Sequence, residues 1–300
     1  MSRIDRASLV RLGLRVALRH RVRQRTTIDG VRRRMRLLGR VVPRPPRGIT
    51  IAELDAGGVA AERITSLVSR PDRHVLYLHG GAYVLGWPSL YRDLTWRIAI
   101  ATEASVLCID YRLAPEHPFP AALDDAVAAY RWLLAQGADA RHIAIAGDSA
   151  GGGLMLATLL RLRDEGTPLP AAAATVSPWT DLALTGGSFR PNGEKDPMVP
   201  VEAAGRAVEF YLAGADPRHP YASPLYGDPA GLPPTLILAG SDEVLRDDAV
   251  RMADRMRAAG CEIEIDVRPN MFHGWHLFSR LMPESRHAIA RVGAFLRTRI

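Results

Sequence analysis

The chain of 300 residues is poor in thiols and amines: it has two cysteines, and Lys195 is its single lysine. It also lacks any apolar run of about eighteen residues, so nothing in it is expected to span a bilayer. No continuous apolar segment leads to a small-residue cleavage site near the N-terminus, and no secretory leader is expected. Cys108 and Cys261 form no metal-binding or disulfide pattern. Both are read as reduced thiols of a cytoplasmic protein. No internal repeat or low-complexity tract interrupts the chain.

What is abundant is arginine, and it is unevenly spread. Residues 1–47 carry fifteen arginines against Asp5 and Asp29, a net of +13; with +7 overall, the remainder nets −6. A nucleic-acid-binding domain is expected to spread positive charge over a folded face. Here the excess sits in one N-terminal arm on an acidic body. Within that arm residues 4–22 are apolar and arginine-rich at helical spacing. Ile28, Val31, Met35 and Leu38 then follow at steps of three or four, one apolar helix face. Two amphipathic helices packed on the protein's own surface are predicted; a membrane-surface or targeting segment is the rival reading. Pro43, Pro45 and Pro46 end the pattern and mark a boundary.

Beyond the prolines the chain alternates. Residues 49–54 and 62–68 flank Gly57-Gly58 as an antiparallel pair. Short apolar runs at 75–78, 106–110, 142–146, 171–176, 236–239 and 263–267 suit buried strands. Helices are predicted over 123–134, 152–163, 246–259 and 283–299. This order implies an α/β protein with a mostly parallel sheet covered on both faces. Residues 184–222, with a helix near 201–212, break the rhythm and read as an insertion over the top of the sheet.

Gly147-Asp148-Ser149-Ala150-Gly151 lies between a predicted strand and a predicted helix. G-x-S-x-G in that setting is a nucleophile elbow, with the Ser149 hydroxyl projecting above the sheet. Serine needs a base, and the base needs a carboxylate; in this context the chain order is serine, acid, histidine. Asp242 and His273 each follow a predicted strand and are the expected acid and base. His276 is the rival base; Asp247 and Asp248 are rival acids. Acyl transfer also needs donors for an oxyanion. Gly80 and Gly81, after the 75–78 strand, and the Ala150 amide are the expected donors. His79 is expected to be a structural anchor. Asp148 is expected to bond backbone or loop groups.

Taken together, His79–Tyr83, the long run Asp110–Ala122, Gly147–Gly152, Asp242 and His273-Gly274 resemble the bacterial hormone-sensitive-lipase family of esterases. The resemblance spans residues 74–300; residues 1–45 match only as a helical cap. It implies an α/β-hydrolase fold over 46–300, no cofactor, no metal, and hydrolysis of short- to medium-chain esters. It further implies that residues 1–45 and 184–222 together cover the acyl pocket. The expected partner is a small-molecule ester, with no nucleic acid and no membrane span; a homodimer stays open. Two departures stand out. Asp242-Glu243-Val244-Leu245 replaces the common Asp-Pro-Leu, and His273-Gly274-Trp275 replaces His-Gly-Phe, where the larger indole is expected to narrow the pocket. The Asp110–Ala122 run is expected to brace the oxyanion loop through Arg112, Glu116 and its prolines. Tyr83, Trp87, Tyr211 and Trp275 are expected near the pocket, more as core than as substrate contacts. Lactone or amide hydrolysis by the same triad remains open, as does a non-catalytic ligand receptor on the same fold, which the retained His273 disfavours.

Overall fold

The computed structural model describes residues 6–19, 27–39 and 44–300. Residues 1–5, 20–26 and 40–43 of the expected cap segment, Pro43 included, lie outside the described residues, as does the side chain of Leu38. Two helices open the chain, α1 (Arg6–Arg19) and α2 (Ile28–Gly39). Ile28, Val31 and Met35 of α2 are half-buried while Arg33 and Arg34 face out, as the spacing predicts.

A hairpin follows, β1 (Ile49–Asp55) and β2 (Ala60–Ser66), paired antiparallel from Asp55 opposite Ala60. Its turn needs glycine. Gly57 and Gly58 both have positive φ, and Asp55 Oδ1 accepts the Gly58 amide at 2.7 Å. The body then runs β3 (Arg70–Leu78), α3 (Pro88–Thr102), β4 (Ala104–Ile109), α4 (Ala121–Ala135), β5 (Ile143–Asp148), α5 (Ala150–Asp164) and β6 (Ala172–Val176). After the insertion with α6 (Val201–Leu212) come β7 (Thr235–Gly240), α7 (Arg246–Ala258), β8 (Ile263–Arg268) and α8 (Pro283–Arg297).

Among the described residues, eight strands form one sheet in the order β1-β2-β4-β3-β5-β6-β7-β8. β2 joins β4 antiparallel, and every later neighbour is parallel. Alternate residues feed two cores. Leu76, Leu78, Ile145 and Ile237 pack with residues of α4, α5 and α7 on one face. Val75, Tyr77, Ala144 and Leu236 pack with residues of α3 and α8 on the other. Strands buried on both faces must be apolar at every position, which is why they read as continuous runs.

The helix α3 has no counterpart in the sequence reading. Its buried residues Tyr91, Leu94, Thr95, Ile98, Ala99 and Thr102 lie on one helix face, but two of them are threonines and the apolar Trp96 and Ile100 lie off it, so the apolar stripe is blurred. Pro88 starts it, and Glu103 in the left-handed region ends it. The parallel strands β3, β5, β7 and β8 bring four loops to one end of the sheet, where catalytic groups of open α/β sheets collect.

Candidate active site

The turn after β5 carries the serine. Ser149 has φ 54° and ψ −124°, a conformation strained for a residue with a side chain. The strain is over-determined from every side. Its amide donates to Val176 O at 3.0 Å, and its carbonyl accepts the amides of Gly152, Gly153 and Trp179. A Cβ on Gly151 would overlap the Leu78 carbonyl, so only glycine lets the elbow press against β3. Ser149 is half-buried and opens to solvent at the start of α5.

His273, on the loop after β8, meets it. Its Nε2 lies 2.8 Å from Ser149 Oγ, and its Nδ1 lies 3.2 Å from Glu243 Oε2. Glu243 is fully buried, and its other oxygen accepts the Gly240 amide at 2.9 Å. Burial pulls the imidazole pKa down, but the hydrogen bond and charge of Glu243, with the fields of Asp196 and Asp148, outweigh it. The His273 pKa ends above the ordinary histidine value.

The carboxylate facing the histidine is therefore Glu243, where the sequence pointed to Asp242. Neighbouring residues in this turn face opposite ways. Asp242 turns outward, with Oδ2 accepting from Arg11 Nη1 at 2.8 Å and Oδ1 from the Ser241 hydroxyl at 3.1 Å. A signal for this was present. The segment Asp242-Glu243-Val244-Leu245 is one residue longer than Asp-Pro-Leu, and counted back from Leu245 the acid falls on Glu243.

The other rivals are elsewhere. Asp248 is buried against the Thr180 and Asp181 amides, and the Asp247 amide donates to Ser188 Oγ. His276 lies against Asp148, with Nε2 3.6 Å from Oδ2.

The oxyanion loop after β3 also departs by one residue from expectation. The Gly80 amide donates to Asp148 Oδ1 at 3.1 Å and is thereby turned into the protein. Gly81, Ala82 and Tyr83 then run through positive φ, at 127°, 56° and 62°. The Gly81 carbonyl accepts the Val84 and Leu85 amides, which closes a tight turn. The Gly81, Ala82 and Ala150 amides remain without a protein acceptor among the described residues. The free Ala82 amide was not foreseen; nothing in its side chain marks a backbone N–H left open.

Asp148 ties this loop to the elbow. It accepts from the Tyr77 hydroxyl at 2.7 Å and the Tyr91 hydroxyl at 3.3 Å, besides the Gly80 amide. Burial pushes its pKa up, but His276, Tyr77 and His79 outweigh that and hold it below the usual carboxylate value. His79 is an anchor as expected. It is buried, stacks on Tyr111 at 4.3 Å, and its Nδ1 lies 2.8 Å from Gly80 O. Burial lowers its pKa to about 4, so it is neutral near pH 7. Arg112 pairs with Asp125 at 2.7 Å, and Arg32 of α2 pairs with Glu116 at 2.6 Å. The same Arg32 donates to the Val84 and Ala114 carbonyls, so α2 clamps the oxyanion loop to the Asp110–Ala122 run. Tyr83 and Tyr211 stack at 3.8 Å, and both are buried. Trp275 is buried in the core beneath α3 and α8, which takes up the indole expected at the pocket.

Sheet topology, elbow and converging loops define an α/β hydrolase, and residues 75–277 match the family model of that fold. One solved structure, an esterase of the bacterial hormone-sensitive-lipase family, superposes with a TM-score of 0.94 at 44% identity, covering 100% of both chains. The EstE5 crystal structure soaked with p-nitrophenyl butyrate gives 0.91 at 41% identity over 98% of each chain. An acetyl-hydrolase of Streptomyces hygroscopicus is 51% identical over 226 residues, 75% of this chain and 76% of its own. The putative acetyl-hydrolase LipR of Mycobacterium tuberculosis is 38% identical over 254 residues, 85% and 82%. The chain belongs to the bacterial hormone-sensitive-lipase family of esterases and is a serine carboxylesterase. Among the described residues no helix is long and apolar enough to cross a membrane.

Proposed function

We propose that Ser149, His273 and Glu243 form the catalytic triad, acting on small esters with short acyl groups. The observation that carries this is the imidazole held between hydroxyl and carboxylate, 2.8 Å from one and 3.2 Å from the other. His273 takes the Ser149 proton as Oγ attacks the ester carbonyl. Glu243 orients the ring and stabilises the imidazolium. The Gly81, Ala82 and Ala150 amides receive the oxyanion. His273 then protonates the leaving alcohol, and the same base activates the water that releases the acid from Ser149.

The helices α1 and α2 and residues 184–222 serve as the cap over the acyl site. Tyr211 of α6, stacked on Tyr83 and edged by Phe119, supports a shallow pocket. The p-nitrophenyl butyrate soak of EstE5 and the acetyl-hydrolase relatives agree with short chains. The test is covalent labelling by a fluorophosphonate together with p-nitrophenyl butyrate hydrolysis. Ser149→Ala is expected to lose both, with turnover down roughly four orders of magnitude or more. Normal hydrolysis by that variant would reject the assignment.

A further inference from the structure

Arg11 lies near the middle of α1, 231 residues from the acid loop in sequence, yet its side chain is only 18% exposed and its guanidinium is divided between the two loops of the proposed acid and base. Nη1 donates to Asp242 Oδ2 at 2.8 Å, one residue before Glu243. Nη2 donates to Asn270 O at 2.6 Å, three residues before His273. Its Cζ stands 5.8 Å from the Phe272 ring centroid, the residue next to His273. The planar fork of arginine suits such a two-point bridge, which a lysine ammonium matches poorly.

The other flank of Glu243 is tied to the same helix. Arg15 Nη2 donates to the Glu194 and Lys195 carbonyls at 3.0 and 3.3 Å. The next residue, Asp196, accepts the Val244 amide at 3.1 Å. Asn192 of that segment donates to the Ser241 and Glu243 carbonyls. The buried acid is thus bracketed on both sides by contacts that lead back to α1.

We propose that α1 is a splint for the triad, with Arg11 the positioning residue that fixes the acid loop against the histidine loop and so sets the Glu243–His273 contact. The cap helix then acts on the rate of the chemical step and not only on access to the pocket. This rests on the triad reading above. A displacement of about 1 Å in a reacting group can cost about 100-fold in rate.

The experiment uses the full chain with p-nitrophenyl butyrate, and measures kcat, KM and the pH profile of wild type, Arg11→Ala, Arg11→Lys and Glu243→Gln. Arg11→Ala is expected to lower kcat roughly 10- to 100-fold with KM within about twofold. The charged groups reaching His273 are Glu243, Asp196 and Asp148. With Glu243 less well placed, the imidazolium is less stabilised, so the acid limb of the profile should move to lower pH. Arg11→Lys, keeping one of the two ties, should recover part of kcat. A folded Arg11→Ala with unchanged kcat and an unmoved limb overturns the splint. So does a rise in KM alone, which would mark α1 as a substrate contact. If Arg11→Ala does not fold, Arg11→Lys decides: wild-type kcat and limb overturn the proposal, and an intermediate kcat with a lowered limb supports it. An active Glu243→Gln would sink the triad reading itself, whatever Arg11 does.

Discussion

The turn that carries Ser149 and the turn that carries Glu243 are held in different ways. The serine turn is fixed by its own backbone, by glycines that admit β3, and by a buried carboxylate, Asp148, beneath it. These constraints are local and come from the core. The acid turn follows β7 and is braced by side chains reaching in from α1 and from residues 188–196. In the proposed triad the nucleophile is therefore held by the sheet, whereas its acid is held partly by α1 and residues 188–196. A close-packed core has few alternative arrangements. Contacts made by long side chains between separate segments are more easily lost.

The largest effect that would break this contrast is on the acid side. Glu243→Gln is expected to lower kcat about 1,000- to 10,000-fold, since an amide can hold the imidazole but cannot stabilise its cation. Asp242→Asn is expected to cost about tenfold or less, because its amide oxygen still accepts from Arg11. Steady-state turnover of both variants checks the order, and the reverse order would return the acid to Asp242.

The next effect lies under the elbow. Asp148→Ala leaves the Tyr77 hydroxyl and the Gly80 amide without their buried acceptor, at a cost of about 2–4 kcal/mol in stability. Urea unfolding measures it. An equal loss from Asp242→Ala would erase the distinction between a core-held and a cap-held turn.

A smaller effect is on pH. The base works only when neutral, and its pKa in the folded protein is raised by Glu243. Activity should rise with pH through a midpoint above about 6.5, the ordinary histidine value. A kcat/KM profile with its midpoint below that value would contradict the buried pairing. The smallest effect separates chain lengths: butyrate esters are expected to turn over faster than palmitate esters. The reverse preference would show that the cap does not limit depth.

The parts of the site that could be read from the sequence are those in which the backbone dictates residue type. Gly147, Ser149 and Gly151 are required by a strained turn pressed against β3, so the motif announces itself. The strands were legible because burial on both faces forces apolar runs. Asp242 and Glu243 were not separable by residue type, since both are carboxylates in one turn; the spacing to Leu245 and the side-chain direction tell them apart. Ala82 was hidden because the role proposed for it uses its backbone amide, which no side chain announces. Gly80 was misassigned because Asp148, at the end of the neighbouring strand β5 but 68 residues on in sequence, captures its N–H. The helix α3 gave no clear apolar period because its buried face includes Thr95 and Thr102, while Trp96 and Ile100 lie off that face.

The lone lysine has a practical use. Lys195 is exposed, and its carbonyl, with that of Glu194, receives Arg15 of α1. Apart from the terminal amine, it is the only primary amine on the chain. An amine-reactive fluorophore would therefore have one side-chain address, where the first helix rests on the hydrolase body.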